Sequence, residues 1–138
     1  MTPDTLPAPT PGPGSAPASR APTVLDQASL DRLRELDPTG AARLMHRIVA
    51  AYDSSLERLL PDLAAARAGT SIDLSVVRHV SHTLKSSSAS LGALNLAEQC
   101  AEIETKARNG TVEGLDALLD NMLIEVEQVR LALQALLS

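Results

Sequence analysis

The chain has 138 residues and a formal net charge of −5, and it is 44% hydrophobic but only 1% aromatic. This length suits one domain with a real core, and the scarcity of aromatic residues favours close-packed helices over a β-sandwich. The acidic balance argues against a nucleic-acid partner, which would need a basic surface. The single cysteine excludes an internal disulfide and fits a reducing compartment.

Signals for membranes or export are missing from the sequence. No apolar run approaches the roughly 20 residues needed to cross a membrane. The N-terminus also lacks the basic segment and the apolar block of a signal peptide. We therefore expect a cytoplasmic protein that does not contact membranes.

The first 22 residues have a composition of their own. Seven of the nine prolines lie there, mixed with Ala, Thr, Ser and Gly. Proline removes backbone donors and fixes φ, so this stretch cannot form a helix or a sheet ladder. We predict that residues 1–22 are a disordered tail or linker and that residues 23–138 form the folded domain.

The first predicted helix is short. Asp26 can cap a segment in which Leu30, Leu33 and Leu36 recur at helical spacing, and the turn residues 37–40 end it. A helix of about ten residues is marginal alone, so we expect it to lie as a lid across one end of a helical bundle.

The second helix is predicted from about Ala41 to Ala68. Pro61 interrupts it by removing a donor and crowding the carbonyl of Glu57, so we expect a kink or a break into two helices. Its buried stripe comprises Met45, Ile48, Val49, Tyr52, Leu56, Leu59, Leu60 and Leu63.

Three further helices follow at short intervals. They are predicted over about residues 73–90, from a cap at Asn95 to Asn109, and over about residues 112–137. Leu96, Cys100, Ile103 and Ala107 mark the buried face of the fourth helix, and the fifth has a near-heptad stripe. Short connections and apolar stripes predict an all-α fold, namely an antiparallel up-and-down four-helix bundle with the first helix as a lid.

The outer face of the third helix carries the candidate site. At about 100° per residue, His82 falls opposite the apolar side chains and therefore faces solvent. Arg78 and Lys85 flank it one turn away, and the small residues Ser86 and Ala89 complete the same face. This is a rigid, exposed imidazole between two cations, where an anion can sit and another protein can approach.

Other interpretations of these residues remain open. His79 lies one turn before His82 and could share a metal, but the flanking cations would repel it, so we expect a surface neighbour and no metal site. His46 is predicted to be a half-buried packing residue, and Cys100 a buried small hydrophobe. The chain could also be an inert helical interaction module, or a bundle around a metal or haem, although the pattern supplies no inward-facing ligands.

Residues 82–93, His-Thr-Leu-Lys-Ser-Ser-Ser-Ala-Ser-Leu-Gly-Ala, resemble the signature of histidine-containing phosphotransfer (HPt) domains. The resemblance implies a four-helix bundle in which one histidine exchanges a phosphoryl group with an aspartate of a receiver domain. His82 matches the phosphoacceptor and Lys85 the lysine that stabilises the phosphoryl group. Ser86 stands where the family most often has glycine, which bears on how closely a receiver can dock.

The resemblance also implies the partners and cofactors. These are receiver domains of response regulators or of hybrid sensor histidine kinases in a two-component phosphorelay, with the required Mg²⁺ bound by the receiver. No glycine-rich phosphate loop appears in the sequence, so we predict a phosphoryl carrier with no cofactor of its own and not a kinase. We expect a monomer. The sequence fits both a freestanding protein and a piece of a hybrid kinase.

Overall fold

The computed structural model describes residues 24–40 and 43–137, and over these ranges it contains five α-helices and no strand. The helices are α1 (Gln27–Glu35), α2 (Leu44–Ala68), α3 (Leu74–Ser90), α4 (Leu94–Arg108) and α5 (Leu115–Leu136). The predicted all-α fold is confirmed. The predicted tail, residues 1–22, lies outside the described residues, so its boundary with the domain stays a prediction.

The four long helices contact one another in cyclic order, α2 with α3, α3 with α4, α4 with α5, and α5 with α2. Polar contacts at both ends show that α2 and α5 are antiparallel. Arg67 at the end of α2 reaches Asp120 near the start of α5 at 2.9 Å. Asp53 in the first half of α2 accepts from Gln134 near the end of α5 at 3.3 Å. The most extensive contact is between α3 and α4.

The core is aliphatic, as the composition predicts. Its largest fully buried side chains are Leu56, Leu59, Leu63, Leu84, Leu96, Ile103, Leu115, Leu119, Met122 and Leu133. Tyr52 is also buried, and its hydroxyl lies 2.9 Å from the hydroxyl of Ser88, which joins α2 to α3. Burial raises the pKa of Tyr52 to about 12, so the phenol stays neutral.

A serine within a helix can donate to a carbonyl one turn back, and α3 carries two adjacent serines, Ser87 and Ser88. Ser87 does so, donating to the carbonyl oxygen of Thr83 at 2.8 Å. Ser88 is fully buried and pairs with Tyr52 across the helix interface instead. A buried phenol needs a partner, and the adjacent helix offers this hydroxyl.

Several predicted helix ends need correction. Asp26 caps α1 as expected, accepting from the backbone nitrogen of Ser29 at 3.0 Å. Asn95 is not the cap of α4, because the helix already begins at Leu94. Leu36 is 74% exposed, since α1 ends at Glu35 and turns it away from the core.

The proline in α2 does not divide the helix. A single α-helix runs through Pro61, which lies on the exposed side. The proline removes one donor, and the carbonyl that loses its partner can be hydrated there. The alternative of a break into two helices was therefore wrong.

The short first helix covers the turn between α3 and α4. The backbone nitrogen of Asp26 donates to the carbonyl oxygen of Gly92 at 2.7 Å, and Leu25 and Leu30 enter the core. Gly92 has φ +83, and a Cβ there would lie 2.8 Å from the Cβ of Ser29. Glycine is therefore required at this position both by the left-handed backbone and by the close approach of α1.

A comparison of Gly92→Ala with Gly110→Ala separates the effect of the left-handed backbone from the effect of the close approach of α1. Gly110 ends α4 in the same type of turn with φ +74, but nothing lies within 4 Å of its added Cβ. Gly110→Ala should cost about 1 kcal/mol in the free energy of unfolding, from the backbone alone. Gly92→Ala should cost about 2 to 4 kcal/mol, because α1 must also shift.

Urea unfolding of the two variants measures this difference. Equal losses would show that α1 does not press on the Gly92 turn.

Candidate functional site

His82 occupies the outer face of α3, as the helical spacing predicts. Val77 and Leu84 on the inner face are fully buried, whereas the His82 side chain is 61% exposed. Arg78, His79, Ser86 and Ala89 are also exposed, so the predicted site residues do share an accessible surface. Lys85 is half-buried.

The imidazole is not solitary, because a carboxylate of α4 holds it. His82 Nδ1 lies 2.8 Å from Glu104 Oε2, and Lys85 Nζ lies 2.7 Å from Glu104 Oε1. One carboxylate therefore bridges two residues that stand almost one turn apart on α3. The Glu104 side chain is only 8% exposed.

The bridge keeps Glu104 ionised. The hydrogen bond from Lys85 lowers the pKa of the Glu104 carboxyl below its ordinary value, burial opposes this, and the hydrogen bond with His82 lowers it further. An ionised carboxylate can only accept hydrogen bonds, so Nδ1 of the ring must carry the proton. In the neutral ring the lone pair then lies on Nε2, the nitrogen that Glu104 leaves free.

An open cleft of about 500 Å³ lies beside the histidine. It is lined by Ser75, Arg78, His79, His82, Glu104 and Arg108, so α3 forms one wall and the last turn of α4 the other. Two arginines, Arg78 and Arg108, thus flank the exposed imidazole from opposite helices.

Glu104 and Arg108 were missed by the sequence analysis. Glu104 follows Cys100 by four residues and precedes Ala107 by three, so it interrupts the buried face of α4 with a charge. A carboxylate within an apolar stripe was the available signal, because such a group needs a cationic or hydrogen-bonding partner. Arg108, four residues further on, shares its side of the helix.

The other histidine and cysteine predictions have mixed outcomes. His46 is exposed, so the prediction of a half-buried packing residue was wrong. Cys100 is fully buried, as predicted, and burial raises the pKa of its thiol to about 12.

Among residues 24–40 and 43–137 no group of three or more His, Cys, Asp or Glu side chains is arranged to hold a metal ion. None of the helices in these ranges is long and apolar enough to span a bilayer.

Comparison with known proteins identifies the family. The family model named Hpt domain matches residues 47–138. The chain belongs to the Hpt domain family. It is accordingly a histidine phosphotransfer protein of two-component phosphorelays, from a family of phosphoryl carriers rather than kinases.

Two solved structures resemble this Hpt domain. Histidine-containing phosphotransfer protein B (HptB) from Pseudomonas aeruginosa PAO1 is 29% identical with a TM-score of 0.64, and the match covers 83% of this chain and 95% of that one. A rice protein assigned to the histidine-containing phosphotransfer proteins is 20% identical with a TM-score of 0.69, covering 83% of this chain and 81% of that one. The second likeness supports the fold alone. No curated protein matches the chain in sequence.

The ionised bridge predicts a pH-dependent stability. Because the folded protein holds the pKa of Glu104 below its ordinary value of 4.5, the charged carboxylate stabilises the fold above that pH. This stabilisation is lost as the pH falls through the lowered, folded-state pKa. Glu104→Gln should therefore lower the free energy of unfolding by about 1 kcal/mol at pH 7.

Urea unfolding of both proteins between pH 7 and pH 3 tests this, since all other carboxyl groups titrate alike in the two. The wild-type advantage should shrink toward zero at the acid end. An advantage that stays constant with pH would mean that Glu104 is not held ionised by Lys85 and His82.

Proposed function

We propose that His82 is the phosphoacceptor and that its Nε2 takes a phosphoryl group from the aspartyl phosphate of a receiver domain and returns it to another. The observation that carries this proposal is the bond of the ionised Glu104 to Nδ1 at 2.8 Å. It leaves Nε2 as the nucleophilic nitrogen on a ring that is 61% exposed. A buried or unpaired histidine would lack either access or a fixed tautomer.

The transfer needs little chemistry from the Hpt domain itself. The Nε2 lone pair attacks phosphorus in line, a phosphorus–nitrogen bond forms, and the phosphorus–oxygen bond to the aspartate breaks with the carboxylate as leaving group. The proton on Nδ1 stays where it is, so no external base is required. The ring becomes positively charged as the bond forms, and the Glu104 carboxylate compensates that charge. The return step runs the same sequence backward.

Lys85 acts in this mechanism through Glu104. Its ammonium lies 2.7 Å from the carboxylate, and it is the largest cause of the lowered Glu104 pKa. A lysine held in this way keeps Glu104 ionised and aims the second oxygen at His82. This role differs from the direct contact with the phosphoryl group that the sequence resemblance implies.

The receiver is proposed to dock on the outer face of α3. Ser86 and Ala89 are exposed there and small, so loops around a receiver's aspartate can come close to the imidazole. The Mg²⁺ needed to compensate phosphoryl charge would be supplied by the acidic pocket of that receiver. With the four long helices burying their apolar stripes against one another, the domain is proposed to act as a monomer in the cytoplasm.

Phosphoryl transfer from a labelled receiver tests the proposal. The wild type should acquire label that acid removes, because phosphohistidine is acid-labile whereas phosphoserine is not. His82→Gln should abolish labelling but cost only about 1 kcal/mol in stability, since the variant gives up the bond of an exposed ring to Glu104 while Lys85 keeps its own bond to that carboxylate. Lys85→Ala should slow labelling roughly tenfold without abolishing it.

His46→Gln is the matched control, because His46 is an exposed histidine that lies outside the cleft, and it should label like the wild type. His79→Gln examines the neighbouring imidazole in the cleft and should retain an acceptor. Acid-stable label would show that a serine is the phosphoacceptor. Normal acid-labile labelling of His82→Gln would show that His79 is the phosphoacceptor. Either result would contradict the assignment of His82.

A further inference from the structure

The cations around His82 are not equally available to a phosphoryl group. Lys85 is already bound to Glu104 at 2.7 Å. Arg78 and Arg108 line the same cleft, and neither forms an ion pair with a carboxylate in the part of the chain that the structure describes. The Arg108 guanidinium donates a long hydrogen bond of 3.4 Å to the hydroxyl of Thr105.

Charge balance in the phosphorylated state calls for these arginines. A phosphoryl group on Nε2 carries about two negative charges at neutral pH, and the nearby Glu104 adds a third. Lys85 offsets Glu104, and the positive charge that the ring gains offsets only one of the phosphoryl charges, so about one negative charge is left uncompensated. The cleft also lies against the last turn of α4, where the backbone carbonyls present the negative end of the helix dipole.

We propose that Arg108 binds the phosphoryl oxygens of phosphorylated His82 and stabilises that state of the Hpt domain. This inference rests on the proposed function of His82. Arg108 stands at the end of α4, four residues after Glu104, on the wall of the cleft that faces α3. Its planar guanidinium can donate two parallel hydrogen bonds to one phosphoryl group, as an ammonium cannot.

Arg108 and Arg78 differ in what they can contribute. Arg78 precedes His82 by four residues on the same helix, so it lies along α3 beside the ring. Arg108 comes from the opposite helix, so the phosphoryl group would be held between two walls. Because Glu104 of α4 is bonded to His82 and Lys85 of α3, this second wall is already in place in the free protein.

The proposal is tested on phosphorylated protein separated from its receiver. The half-life of the acid-labile label on Arg108→Ala should be roughly three- to tenfold shorter than on wild type. Without the arginine contact, the phosphorylated state is less stable and water hydrolyses it faster. The equilibrium of transfer should shift toward the receiver by a similar factor. The half-life on Arg108→Lys should fall between those of wild type and Arg108→Ala. Lysine keeps the positive charge but cannot donate two parallel hydrogen bonds to the phosphoryl group.

Lys106→Ala is the matched control. Lys106 lies in the same last turn of α4 and carries the same charge, but its ammonium points to the carbonyl of Glu113 at 3.5 Å and does not line the cleft. It should leave the half-life of the label unchanged. If Arg108→Ala and Lys106→Ala shortened the half-life of the label equally, the effect would come from the overall positive charge and not from a contact of Arg108. That result would overturn the proposal.

The outcomes also separate this proposal from the assignment of His82. If no acid-labile label forms on wild type, the assignment itself fails. If the label forms and Arg108→Ala retains the wild-type half-life, only the role of Arg108 fails. If Arg108→Ala slows transfer while the half-life of the label stays that of wild type, the proposal fails and the arginine contacts the receiver, not the phosphoryl group.

Discussion

The buried carboxylate of Glu104 is the constraint on which the site depends. A charge placed among apolar residues is costly unless it is paired and hydrogen-bonded, and Glu104 meets this requirement with His82 at 2.8 Å and Lys85 at 2.7 Å. The same bonds cross the interface between α3 and α4, so they fix the register of the two helices. The bonds that compensate the buried charge of Glu104 therefore also determine which nitrogen of the His82 ring carries the proton.

The turn at the end of α3 makes that register possible. Gly92 adopts φ +83 and lets the chain reverse within residues 91–93, so α4 returns directly along α3. The helix α1 then packs on the turn through the bond from Asp26 to the Gly92 carbonyl. The residues that close the hairpin thus belong to the same short stretch of sequence as His82 and Lys85, namely residues 82–93, which resemble the family signature.

Periodicity predicted the features that depend on a single helix. The helical spacing placed His82 outward and Leu84 inward, and the low aromatic content indicated an aliphatic bundle. Periodicity could not predict the contact between Glu104 and His82, because these residues are 22 positions apart and their contact depends on how α4 lies against α3. The pairing of Ser88 with Tyr52 was missed for the same reason. The errors at Leu36 and Asn95 concern helix ends, where one or two residues decide whether a side chain caps, packs or faces solvent.

Glu104 should fix His82 as the tautomer with a proton on Nδ1 and a free lone pair on Nε2. Nitrogen-15 NMR of the imidazole at alkaline pH measures this directly, because protonated and unprotonated ring nitrogens differ strongly in chemical shift. The wild type should show a protonated Nδ1, and Glu104→Ala should lose that preference. A wild-type ring protonated on Nε2, the form that predominates in free histidine, would contradict it.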